Sequence, residues 1–277
     1  MSMRFHFDRQ TPVTAATLAL YVAAAIATMG AQALNPSSEA LDRFGAAIGF
    51  RIANGELWRL VSHAYLHGGI IHLAFNGMAL WSIGPQLERL LGSVRFFVLY
   101  IVSAIAGCIV GMLVHSPVVP LVGGSGALFG MMGAMVAMNT RHGRSPLDFL
   151  EYEGPRQLIS MIVANLILGF LIPNVSNAAH VGGLVGGFAL VHQFFDRRGR
   201  HAPDRLGVVV QSGWIAVFVA GVVWVAYPAT RWDYWWGKYL SEGNAHSDPQ
   251  IVDAIDLRRV EPIDLAYLQQ LMRSRKR

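Results

Sequence analysis

Ser125 lies in Gly123-Gly124-Ser125-Gly126-Ala127-Leu128-Phe129-Gly130, a lone hydroxyl among glycines at the mouth of an apolar segment. Further along, a second apolar segment opens with Asn177-Ala178-Ala179-His180-Val181-Gly182-Gly183. A serine hydroxyl is a weak nucleophile until a neighbouring base takes its proton, and histidine is the side chain best suited to take it and return it to a leaving amine. Ser125 and His180 therefore supply nucleophile and general base, if the fold brings them together.

A third segment adds donors. His67-Gly68-Gly69-Ile70-Ile71-His72-Leu73-Ala74-Phe75-Asn76 places His72 and Asn76 four residues apart, on one helical face. Both side chains can donate hydrogen bonds. Ser125 falls in the first turn of its helix, where backbone N–H groups are unpaired and the helix dipole is positive. Together these are the parts of an oxyanion hole, donors aimed at the place where negative charge develops. The plainer reading of His72 and Asn76 is a tie between helices.

No catalytic carboxylate accompanies them. The chain has 17 Asp and Glu, and all fall outside the interiors of the expected spans. A dyad is thus the simpler mechanism, and an intramembrane aspartyl protease is excluded. His63 and His67 also share a helical face, but there is no H-E-x-x-H motif and no carboxylate follows nearby, so no metal is expected. His67 reads instead as a structural hydrogen-bonder that orders the preceding loop. Cys108 stands alone mid-span and reads as an inert packing thiol. His115 and His192 read as interfacial, and Asn165 as a buried polar residue.

The elements that must position these residues are membrane helices. The chain is 53% hydrophobic and 14% charged, against roughly 25% charged for soluble domains. Seven apolar runs approach the ~20 residues a span needs, near 13–34, 68–87, 96–114, 122–139, 157–173, 178–195 and 206–228. The first is too long for a signal h-region, despite Ala31-Gln32-Ala33, and reads as a retained span. The net charge of +5 reads as topology rather than nucleic-acid binding. Arginines cluster on segments that lie inside when the N-terminus is inside, while the short connections 115–121 and 173–177 hold no Lys or Arg. Trp232, Tyr234, Trp235 and Trp236 read as an interfacial belt.

In that topology spans two, four and six run in one direction, so His72, Asn76, Ser125 and His180 share a depth. Polar residues in a span face the bundle interior, because facing lipid costs several kcal/mol. Gly126 and Gly130, and Ala179, Gly183 and Gly187, recur at small-xxx-small spacing, which lets helix backbones approach closely.

In type, order and spacing these residues resemble the rhomboid family of intramembrane serine proteases. The resemblance rests on Trp58-Arg59, His67-x4-His72-x3-Asn76, Glu88-Arg89, Gly123-Gly124-Ser125-Gly126 and Ala179-His180-x2-Gly183-x3-Gly187. It implies an all-α, polytopic membrane protein with a six-helix rhomboid-like core over 12–196. Before it comes a short cytoplasmic N-terminus, 1–11. After it come a basic cytoplasmic linker (197–205), an additional seventh transmembrane helix (206–228) and a tail (229–277).

The resemblance also implies Ser125 as nucleophile, His180 as base, and His72, Asn76 and the Ser125 backbone N–H as the oxyanion hole. It gives Trp58 and Arg59 a bracing role in the long first loop, and span five the role of a lateral gate. Phe129 stands where the family often has a tyrosine stacked on the catalytic histidine. No cofactor or metal is implied. The partners would be transmembrane protein substrates and lipid, with no nucleic acid, in a bacterial inner membrane. A non-catalytic rhomboid-like client-binding protein is the competing class, and such proteins usually lack the serine or the histidine. A transporter would need acids in its spans or inverted repeats, and the sequence shows neither.

Overall fold

The computed structural model describes residues 11–29, 34–115, 119–140 and 175–194, together with several helical positions between 160 and 170. Among the described residues five long helices carry the architecture: α1 (Pro12–Met29), α5 (Ile70–Leu91), α6 (Ser93–Val114), α7 (Ser125–Thr140) and α8 (Asn177–Phe194). Between α1 and α5 lie α2 (Ser38–Arg43), α3 (Gly49–Ala53), α4 (Arg59–Ser62) and a 3-10 turn, His63–Tyr65. Among the described residues there is no strand, only an isolated bridge between Ala47 and Leu121. The fold is all-helical. The N-terminal segment 1–10, the linker 197–205, the span 206–228 and the tail 229–277 lie outside the described residues, as do Asn165 and the tryptophans of the expected belt.

By length and composition, α1 and α6 are each apolar enough to cross a membrane, and α7 is a shorter apolar helix. The helix near the second expected span begins and ends a few residues later than the apolar run, at Ile70 and Leu91. That extra turn takes in Glu88, which is buried rather than beyond the helix. Its carboxylate accepts from the Val13 and Thr14 N–H groups (2.9 and 2.8 Å), the Thr14 hydroxyl (2.7 Å) and the Ser93 hydroxyl (2.7 Å). Pro12 opens α1 with no N–H to lose, and Glu88 satisfies the next two orphan donors from a different helix. The positive end of the α1 dipole suits the carboxylate charge.

The first loop is less irregular than its sequence suggests. Ser37 caps α2, its hydroxyl accepting from the Ala40 N–H at 3.1 Å. Arg59 is buried and organises the rest: its guanidinium meets Glu56 at 2.7 Å and Asp42 at 3.0 Å. One of its nitrogens also donates to the Asp42 and Ala46 carbonyls, at 2.7 and 2.9 Å. Trp58 is half exposed, with the Arg59 guanidinium 4.9 Å from its ring centre.

α6, α7 and α8 pack backbone to backbone. A Cβ at Gly183 would collide with the Gly126 carbonyl, and one at Gly187 with the Gly130 carbonyl. Gly107 of α6 lies against the Ala179 carbonyl and the Gly126 Cα. Cys108, also on α6, is buried in this packing.

Candidate active site

Three parallel helices begin at one place. Ser125 is the first residue of α7, His180 stands one turn into α8, and His72 and Asn76 lie in the first two turns of α5. The His180 Nε2 is 3.0 Å from the Ser125 Oγ. The His180 ring stacks on Phe129 with centroids 4.2 Å apart and planes 8° from parallel. Its other nitrogen, Nδ1, has no hydrogen-bond partner among the described residues. The imidazole thus meets the serine and an aromatic face, and among the described residues no carboxylate stands behind it.

The donors face the turn before the serine. Gly123 has φ +121, in the left-handed region that only glycine enters freely. A Cβ there would also sit 2.8 Å from the His72 Nε2 and 3.8 Å from the Asn76 Nδ2. The Gly68 N–H donates to the His72 Nδ1 at 3.3 Å, so the His72 proton resides on Nε2, the nitrogen nearest Gly123. Asn76 is buried, and its Nδ2 has no hydrogen-bond partner among the described residues. An unpaired donor at that depth is costly, and here it borders the serine turn. The Ser125 N–H, at the first helical position, has no partner within its own helix.

The turn itself is pinned to the first loop. Ala47 and Leu121 exchange backbone hydrogen bonds at 3.0 and 2.9 Å, and the Gly123 N–H donates to the His63 carbonyl at 2.9 Å. His63 in turn places Nδ1 3.1 Å from the Arg59 carbonyl. Burial holds its imidazole down at about 4, well below the ordinary histidine range. His67 departs from the sequence expectation. Neither of its ring nitrogens has a hydrogen-bond partner among the described residues. The ring is wedged edge-on between Tyr21, at 4.5 Å, and His72, at 5.1 Å. Burial holds it at about 3.

Other candidates sit apart. His192 stacks on Phe188 at the far end of α8 and is exposed. Among the described residues no group of three His, Cys, Asp or Glu is arranged to hold a metal ion. Sequence reasoning passed over Tyr21 and Tyr100, whose hydroxyls meet beneath the serine turn at 2.9 Å. The available signal was a polar tip in the middle of an apolar span, which seeks a partner when buried.

Fold and site define a helical integral membrane protein with a hydrogen-bonded serine and histidine at the shared start of its helices. The Rhomboid domain family model matches residues 54–197, and the chain belongs to the rhomboid family. It is 45% identical to Rhomboid protease GluP of Bacillus subtilis (strain 168) over 154 residues, 55% of this chain and 29% of that protein. It is 40% identical to RHOMBOID-like protein 5 of Arabidopsis thaliana over 162 residues, 57% of this chain and 50% of that one. Putative rhomboid protease YdcA of Bacillus subtilis (strain 168) is 37% identical over 140 residues, 50% of this chain and 68% of that one. The matches thus span half or less of the first two relatives' lengths.

Proposed function

We propose that this chain is an intramembrane serine endopeptidase that cleaves transmembrane segments of other membrane proteins through a Ser125–His180 dyad. The observation that carries this reading is the 3.0 Å contact between the Ser125 Oγ and the His180 Nε2. The donors around Gly123 support it, as do relatives named as rhomboid proteases.

In this mechanism the Ser125 hydroxyl attacks the scissile carbonyl as His180 takes its proton. The C–N bond then breaks as His180 returns the proton to the leaving amine. The His72 Nε2–H, the Asn76 Nδ2–H and the Ser125 N–H stabilise the oxyanion on both sides of that step. Water, deprotonated by the same imidazole, releases the acyl group. A substrate helix must unwind locally first, because an intact helix keeps its carbonyls satisfied internally. The reaction needs no cofactor, and its partners are transmembrane substrates and lipid. The N-terminus lies on the cytoplasmic face, so the site opens to the opposite side.

Reconstitution in liposomes with a generic transmembrane substrate tests the reading. Ser125→Ala and His180→Ala should each reduce cleavage by on the order of 10³-fold or more. Cleavage that persists in Ser125→Ala would sink the mechanism. A wild type that binds transmembrane clients without cutting them would favour the quality-control class instead.

A further inference from the structure

Tyr21 and Tyr100 head the largest fully buried side chains of the described residues, at 1% and 0% exposure. They come from α1 and α6, which contribute no atom to the serine–histidine pair. Their hydroxyl oxygens are 2.9 Å apart, and the Tyr100 hydroxyl donates to the Ala64 carbonyl at 3.1 Å. A phenol has one proton to give. Tyr100 gives its proton to Ala64, so Tyr21 is the donor to Tyr100.

This pair touches both arms of the oxyanion cradle. Ala64 is the middle residue of the 3-10 turn whose His63 carbonyl holds the Gly123 N–H at 2.9 Å. Gly124 lies directly on the pair: a Cβ there would collide with the Tyr21 hydroxyl and stand 3.2 Å from the Ala64 carbonyl. On the other side the Tyr21 ring meets His67 at 4.5 Å, and His67 meets His72 at 5.1 Å. One arm presents the Ser125 N–H, and the other presents the His72 Nε2–H.

We propose that the Tyr21–Tyr100 hydroxyl pair positions the oxyanion donors. The Tyr21 hydroxyl sets the depth of the Gly123–Gly124 turn, and its bond to Tyr100 anchors the phenol so that its ring holds His67 and, through it, the tilt of the His72 ring. This rests on the protease reading above. Neither tyrosine touches the reacting atoms, so both are positioning residues. Packing alone would be served by phenylalanine, which has the same ring and no polar group to bury. The hydroxyls matter because the donors lose their effect when misplaced by a fraction of an ångström.

The test compares Tyr21→Phe, Tyr100→Phe and the double variant in the full chain reconstituted in liposomes. It measures kcat and KM on a transmembrane substrate, the rate at which a soluble fluorophosphonate labels Ser125, and Tm. In each single variant kcat should fall about tenfold, with KM within about twofold of wild type. Fluorophosphonate labelling should slow in parallel, because that reagent uses the same donors without needing a substrate helix to reach the site. The double variant should be no slower than the slower single one, since the two hydroxyls act as one unit. A lower Tm with unchanged kcat and labelling would make the pair merely structural and overturn the proposal. Loss of cleavage with undiminished labelling would place its effect on substrate access and would overturn it equally. If wild type neither labels nor cleaves, the protease reading fails and this one with it. Phe variants equal to an active wild type sink the positioning role alone.

Discussion

The imidazole of His180 has unequal support at its two nitrogens. Nε2 meets Ser125, while Nδ1 has no partner, carboxylate or other, among the described residues. The ring stacks on Phe129, at 4.2 Å and 8°. Aromatic pairs of this kind contribute about 1 kcal/mol beyond burial. Phe129→Ala should therefore lower kcat about tenfold, while Phe129→Tyr, which keeps the ring, should retain activity on the same transmembrane substrate. An unaffected Phe129→Ala variant would show that the serine bond alone orients the base. Asn76 makes the complementary case. Its buried Nδ2 is left unpaired, an arrangement that costs stability and suits a donor waiting for an oxyanion. Asn76→Ala should cut kcat by about 10²-fold yet lower Tm little. A large fall in Tm with kcat intact would return Asn76 to the role of a tie between helices.

The glycine seam between α7 and α8 converts helix packing into bond length. Gly183 faces the Gly126 carbonyl and Gly187 the Gly130 carbonyl, with no room for a methyl group at either contact. Gly183→Ala must push α8 away from α7, and His180 is carried on that helix one turn earlier. Its expected outcome is a loss of about 10²-fold in fluorophosphonate labelling of Ser125, read beside a circular-dichroism spectrum that stays helical. Labelling at the wild-type rate would mean that the seam can open without separating the pair. This seam was legible in the sequence, because small residues at four-residue spacing inside an apolar run have few other uses. Ser125, His180, His72 and Asn76 were legible for the opposite reason, as polar groups in a setting that penalises them. The short helices of the first loop were not, since α3 and α4 span five and four residues, too few to show a period. Nor was the Glu88 cap on α1, which joins residues 74 and 75 positions apart. Tyr21 was hidden because a tyrosine in an apolar helix reads as core until its hydroxyl is seen to have a partner.

For the molecule as a whole, the first loop and the serine turn form one unit that depends on two neutral histidines. His63 and His67 are both buried, and burial holds them at about 4 and about 3. An unfolded chain would protonate them near the ordinary value of roughly 6.5. Below that pH the unfolded state binds more protons than the folded one, so stability must fall as pH drops. It falls by about 1.4 kcal/mol per pH unit for each histidine while the folded form stays neutral. From pH 6.5 to pH 5 the two together remove about 3 kcal/mol, a large part of an ordinary folding free energy. The His63 carbonyl anchors Gly123, so the serine turn loses its support with the loop. The purified protein should accordingly show a Tm that declines steeply from pH 6.5 toward pH 4.5. In His67→Leu, with one proton removed from the balance, the slope should be shallower. An equal slope in the variant would mean that His67 takes up its proton without the loop unfolding. The acid sensitivity would then belong to His63, whose imidazole burial holds at about 4.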